Sequence, residues 1–117
     1  MDPLRTQCTD AQIERLLKAM DLLRLMDREM PAQVISCFLY VASHKNCHKL
    51  AMEEYLEISV ASGSRNSDWL SKKHRLGKAG LDLIVKEPDP SNRRRLQLTL
   101  TPKGESLIKQ IRTLLYD

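Results

Sequence analysis

The sequence predicts an α+β domain, mainly helical, with one small β-hairpin. Three observations predict it. Apolar residues recur at spacings of three and four along separate stretches, the period of a helix with one buried face. A serine-rich break, Ser59 to Ser64, separates two short helical stretches in the middle of the chain. A turn rich in Pro, Asp and Asn precedes Leu96-Gln97-Leu98-Thr99-Leu100-Thr101, which alternates apolar and polar as a strand does.

The 117 residues fit one domain, 1–117, because two independent cores would each sit near the lower limit for folding alone. Aromatic residues are only 4% of the chain, so the core must be aliphatic. No apolar run approaches the roughly 20 residues of a membrane span. The opening Met1-Asp2-Pro3-Leu4-Arg5-Thr6-Gln7 lacks the apolar stretch of a signal peptide. These features argue against a membrane protein, a secreted precursor and a large multi-domain enzyme. Cys8, Cys37 and Cys47 are odd in number and form no C-x-x-C, which fits a reducing, cytoplasmic setting better than a disulfide framework.

In chain order, Thr9 or Asp10 can cap a first helix, with Glu14 near the position that reaches back to the cap. Ile13, Leu16, Leu17, Met20, Leu23 and Met26 carry that helix to about Arg28. Leu22 and Leu25 widen its apolar stripe, so it needs cover from more than one neighbour, and a second subunit could supply it. Pro31 suits the first turn of a second helix over 31–43, the most apolar in the chain. His44, Cys47 and His48 lie close together and invite a zinc reading. Structural zinc wants four ligands in paired groups, and no second pair follows, so a polar turn between helices is the reading. No metal or other cofactor is expected.

A third helix follows at about 48–57. The stretch from Ser59 begins as a turn and cap and continues as a helix through about Lys73. Two short helices joined by a tight turn, the second polar and basic, make a helix-turn-helix. Gly77 and Gly80 end it. Leu81 to Val85 read as a strand, Glu87-Pro88-Asp89-Pro90-Ser91-Asn92 as a turn, and Arg93-Arg94-Arg95 lead into the second strand. This hairpin forms a wing that packs on the helices by its leucine face. Thr101-Pro102 starts the last helix, with Leu107, Ile108, Ile111, Leu114 and Leu115 as its stripe.

The order helix, helix, helix-turn-helix, wing, helix resembles the multiple antibiotic resistance regulator (MarR) family of winged-helix DNA-binding proteins. Met52-Glu53-Glu54-Tyr55-Leu56-Glu57-Ile58-Ser59 is similar to that family's first motif helix and the turn after it. Ser64-Arg65-Asn66 is similar to the Ser-Arg of many of its recognition helices. Residues from Gly80-Leu81 to Leu100-Thr101-Pro102-Lys103-Gly104 resemble its wing and next helix. The resemblance is strongest over 50–106. Two departures stand out. Asn92 occupies the place of the wing Asp, so an ion pair to Arg94 becomes a neutral hydrogen bond. Lys72 to Ala79 is several residues longer than the usual link and should form a basic loop. The chain is also shorter than most members, a compact variant. Relatives bind small phenolic ligands between dimer helices and DNA-binding lobe, but no convergent polar-aromatic set supports one here.

The resemblance implies dimerisation helices at 9–29 and 102–116 and a helix-turn-helix with wing over 48–101. Charge placement agrees with a DNA-facing edge. Residues 1–58 carry seven basic and nine acidic groups, and residues 59–117 carry 12 and six. Nine of the basic groups fall between Arg65 and Arg95. Arg65 could read guanine bidentately, a contact of about 1–3 kcal/mol of discrimination, or hold a phosphate. Asn66 could pair with adenine, cap, or touch phosphate. Ser62, Ser64 and Ser67 are small donors suited to close approach to phosphates. Lys72, Lys73, His74 and Arg75 form a basic run for phosphate contact. Arg93 and Arg95 should point to one face of the strand and Arg94 to the other. Trp69 reads as packing, and Cys47 beside His48 as the better redox candidate.

The sequence therefore predicts a sequence-specific regulator of transcription that binds double-stranded DNA as a homodimer, acting as a repressor, with no catalytic constellation. Two other readings stay open. One is a winged-helix protein-interaction module, such as an anti-repressor or inhibitor. The other is a replication or partition accessory protein that binds DNA.

Overall fold

A computed structural model describes residues 7–72 and 77–116 of the chain. The first helix, α1 (Ala11–Met26), is capped by Asp10, whose side chain accepts from the backbone N–H groups of Gln12 and Ile13. Pro31 precedes α2 (Ala32–Ser43), which buries Val34, Cys37, Phe38 and Val41 on one face. A short strand, β1 (Cys47–His48), leads directly into α3 (Lys49–Leu56). Then come α4 (Val60–Leu70), capped by Ser59, and the strands β2 (Ile84–Asp89) and β3 (Asn92–Leu100). The chain closes with α5 (Pro102–Tyr116).

The strands form one antiparallel sheet in the order β1-β3-β2. Cys47 and His48 pair with Leu98 and Gln97, so the segment expected as a polar turn supplies a third strand. Its two residues are too few for periodicity to reveal. The second strand also starts later than expected and takes in Glu87-Pro88-Asp89. Pro88 is tolerated because β2 is an edge strand, where a missing N–H breaks no ladder bond. The turn is reduced to Pro90 and Ser91.

Helix α2 is the centre of the lobe and packs against α3, α4 and β3, while α1 packs on α5. Phe38, Met52, Leu70, Leu83, Ile84 and Leu98 are the large residues of the shared core. Helix α5 starts on Thr101. The Thr101 hydroxyl accepts from the Gly104 N–H at 3.0 Å and donates to the Asp82 carbonyl at 2.6 Å, fastening the helix to the wing base. The molecule is elongated, 58 × 30 × 27 Å. Among the described residues no helix is long and apolar enough to cross a membrane.

Helix α4 ends at Leu70, three residues earlier than expected, because its last carbonyls are taken by another segment. The N–H groups of Gly80, Leu81, Asp82 and Leu83 donate to the carbonyls of Lys72, Trp69, Ser71 and Leu70. The Trp69 and Leu70 carbonyls are among those that a helix end leaves unpaired, and Ser71 and Lys72 continue the contact beyond it. A side chain at Gly80 would run into the Ser71 carbonyl, so only glycine permits this approach.

Candidate nucleic-acid interface

Helix α4 presents two faces of different character. Gly63, Asn66, Ser67 and Leu70 are buried. They recur at i, i+3, i+4 and i+7, the spacing of a buried helical face. Val60, Ala61 and Arg65 are exposed, with Ser62 and Ser64 partly so. Arg65 donates from Nη2 to the Ser62 hydroxyl at 2.9 Å, and Ser59 donates to the same oxygen at 3.1 Å. This relay steadies the guanidinium over the first turns of the helix.

Asn66 and Ser67 are therefore not placed for nucleic acid. Asn66 donates from Nδ2 to Gln33 Oε1 at 2.7 Å and lies 3.6 Å from Cys37 Sγ, tying α4 to α2. Ser67 donates to the Ser64 carbonyl and accepts from Lys86 Nζ at 3.2 Å. Burying these polar groups is tolerable because each has a partner. Of the basic run after α4, Lys72 is exposed, whereas Lys73, His74 and Arg75 lie outside the described residues. Trp69 is half-buried and donates from Nε1 to Asp27 Oδ2 at 2.8 Å, joining α4 to the end of α1.

Two ion pairs hold the helix-turn-helix and the wing in register. Lys49 and Glu53 form a buried pair within α3, and Lys49 Nζ also reaches the Val60 carbonyl at 3.4 Å. The Glu53 carboxylate fills the space where Gly63 would carry a Cβ, so α3 and α4 approach closely only because residue 63 is glycine. Lys86 Nζ bonds Asp68 Oδ1 at 2.6 Å, pinning β2 to α4.

The wing departs from simple alternation. Ile84 to Pro88 pair with Leu100 to Leu96 in even register, but Asp89 pairs with Asn92. Arg93, Arg94 and Arg95 thus have no partner on β2 and form a wide bulge of three exposed arginines. A bulge re-aims side chains and abolishes the two-residue repeat locally. The expected split of Arg93 and Arg95 from Arg94 therefore has no ladder to enforce it. Asn92 Oδ1 accepts from the Arg94 backbone N–H at 3.2 Å, so the neutral bond goes to main chain and not to the guanidinium.

Sequence reasoning missed the group that closes this bulge. Asp89 Oδ1 accepts from the Ser91 N–H at 2.8 Å and from its hydroxyl at 2.9 Å. Asp89 Oδ2 meets His48 Nε2 at 2.6 Å, across 41 residues of sequence. The Ser91 N–H, with His48 and the Ser91 hydroxyl, holds the Asp89 carboxyl down to about 2. Beside it lies a crevice of about 220 Å³ lined by Lys49, Leu50 and Val60 on one wall and Arg94, Arg95 and Leu96 on the other. The first turns of α3 and α4 and the arginine bulge of the wing thus share one groove.

Cys47 is not set up for redox chemistry. It is buried, and burial pushes its thiol up to about 11, so the reactive thiolate is scarce at neutral pH. Among the described residues no group of three or more His, Cys, Asp or Glu side chains could hold a metal ion.

No protein-family model and no curated protein matches the chain. Solved structures do resemble it. MepR of S. aureus in its DNA complex is 18% identical, with 87% of this chain and 76% of that chain covered and a TM-score of 0.68. MarR is 21% identical over 87% of this chain and 74% of that chain, with a TM-score of 0.60. A mutant MarR from E. coli complexed with operator DNA is 18% identical over 89% and 70%, with a TM-score of 0.59. The fold is the winged helix of MarR-type regulators, five helices and a small three-stranded antiparallel sheet.

Proposed function

We propose, from this MarR-type winged helix, that the chain is a sequence-specific regulator of transcription that binds double-stranded DNA as a homodimer and represses by occupying its operator. The observation that carries the reading is the shared groove, which sets the first turn of α4 beside Arg94 and Arg95. An α-helix enters the major groove while a wing follows the neighbouring backbone or minor groove, and both must lie on one edge of the protein. Arg65 is exposed on that helix and held by Ser62, a placement suited to a base edge. Val60, Ala61 and Ser64 can make the close approach, with Ser62 and Lys72 beside them. Two of the similar structures, those of MepR and the MarR mutant, were solved with DNA.

Dimerisation through the terminal helices is supported by Ile13, Leu16, Leu17 and Leu25 of α1 and Tyr116 of α5, all exposed. Leu25 also lines a groove of about 630 Å³, together with Leu22, Leu114 and the charged Lys18, Asp21, Arg24 and Arg28. A two-fold dimer would set its recognition helices about 34 Å apart, one turn of DNA.

Selection of bound duplexes from a random pool, followed by salt titration, tests this function. A palindromic consensus is expected, with affinity falling as salt rises by a log–log slope of about 0.9 per phosphate contacted. Arg65→Ala should lose sequence preference while retaining weak general binding, and Arg94→Ala should weaken binding to every duplex. Absence of duplex binding at low salt overturns the reading and returns the basic edge to an acidic protein partner.

A further inference from the structure

The three arginines of the wing are the densest run of positive charge in the chain, and the ladder does not hold them. Arg93, Arg94 and Arg95 face no residue of β2. Three adjacent like charges in an unpaired segment repel one another and widen the ensemble of positions they visit. A wing that meets phosphates in one register needs something else to fix them.

We propose that His48 and Asp89 are positioning residues for the arginine bulge, the bridge between them setting where Arg93 to Arg95 stand when the wing meets DNA. The inference rests on the DNA-binding reading above. Its basis is topological. His48 belongs to β1, whose backbone pairs with Gln97 on one side of β3. Asp89 belongs to β2, on the other side of β3, at the residue where the register shifts. The 2.6 Å contact between Nε2 and Oδ2 therefore spans the middle strand where the arginines leave the ladder. The other carboxylate oxygen is occupied by Ser91, so a single side chain fixes the turn and anchors it to the body of the lobe. The anchor is well founded, because β1 runs straight into α3, whose first residue Lys49 is itself pinned to Glu53 and reaches α4. The chain thus runs continuously from α4 through Lys49 and His48 to the tip of the wing.

Salt dependence of duplex binding measures the effect on phosphate contacts separately from stability. His48→Leu removes the bridge and should lower the log–log slope by about 0.9 for each arginine no longer seated on a phosphate. His48→Gln, whose amide can still donate to Asp89, should restore most of the slope. Asp89→Ala cuts the bridge from the other side. If His48 acts through Asp89, His48→Leu adds no further loss in the Asp89→Ala background. A loss that persists there makes His48 a direct phosphate contact and overturns the proposal. So does a wild-type slope in both single variants with circular dichroism unchanged. Should His48→Leu fail to fold, His48→Asn, too short to reach Asp89, carries the same expectation and the same refutation. Failure of the wild-type chain to bind any duplex refutes the DNA-binding reading instead, so the two failures are distinct.

Discussion

The winged lobe and the pair of terminal helices treat their apolar residues in opposite ways. In the lobe Val34, Cys37, Phe38, Met52, Leu70, Leu83 and Leu98 are each 0% exposed. On α1, Ile13, Leu16, Leu17 and Leu25 are between 52% and 76% exposed. The lobe completes its core within one chain. The terminal pair buries Ala19 and Leu23 of α1 with Leu107, Ile108 and Ile111 of α5, and leaves its other apolar stripe in water. An apolar stripe of that size on a helix calls for a partner. The difference separates a region that closes its own core from one that leaves apolar surface in water, the surface on which the proposed dimer rests.

The largest test falls on the lobe. Phe38→Ala should cost about 3–5 kcal/mol of folding free energy, read as a fall in the chemical denaturation midpoint. A cost below about 1 kcal/mol would mean that the lobe core is not the seat of stability. Next comes Leu17→Glu on α1. In the proposed dimer it would forfeit at most about 1.5–3 kcal/mol of burial per subunit and should halve the mass seen by light scattering while leaving the circular dichroism of the lobe intact. A mass unchanged by this variant would move the interface elsewhere.

A smaller effect is expected at the joint between the regions. Trp69→Phe removes the hydrogen bond to Asp27 and should cost about 1 kcal/mol. Its signature is faster amide exchange at the end of α1, and uniform exchange across both regions would refute a joint there. The last difference is silent at neutral pH. The folded Asp89 carboxyl sits at about 2, below the usual carboxylate range. Its contribution is present above pH 4 or so and is lost as pH falls from there toward 2. Acid should therefore loosen the wing. Asp89→Asn, which cannot titrate, should flatten that part of the stability profile.

The helices and the leucine strand were legible in the sequence because each rests on periodicity, and α1, α2 and α5 run where the spacing of Leu, Ile and Val places them. The wing was legible in kind but not in register. Leu96, Leu98 and Leu100 announce a strand, but nothing in Arg93-Arg94-Arg95 announces that β2 skips all three. Helix α4 was half legible. Arg65 lies on the exposed face as expected, whereas Asn66 and Ser67 lie on the buried one. Their stripe is Gly63, Asn66, Ser67 and Leu70, and three of those four are too small or too polar to register as apolar. The helical spacing was the available signal, and composition masked it. His48 and Asp89 carry no local pattern at all, since their meeting depends on a strand of two residues.

The segment after α4 has a consequence for how this protein can change. Four backbone bonds join residues 69–72 to residues 80–83, and they do not involve residues 73–79. The spacing between α4 and the base of the wing is thus set by these four bonds. Doubling the length of a flexible connection costs only about 0.6 kcal/mol in closure entropy. Changing the length or charge of the sequence between Lys72 and Gly80, as in a loop-graft library, should therefore leave these four bonds and the elements they join in place.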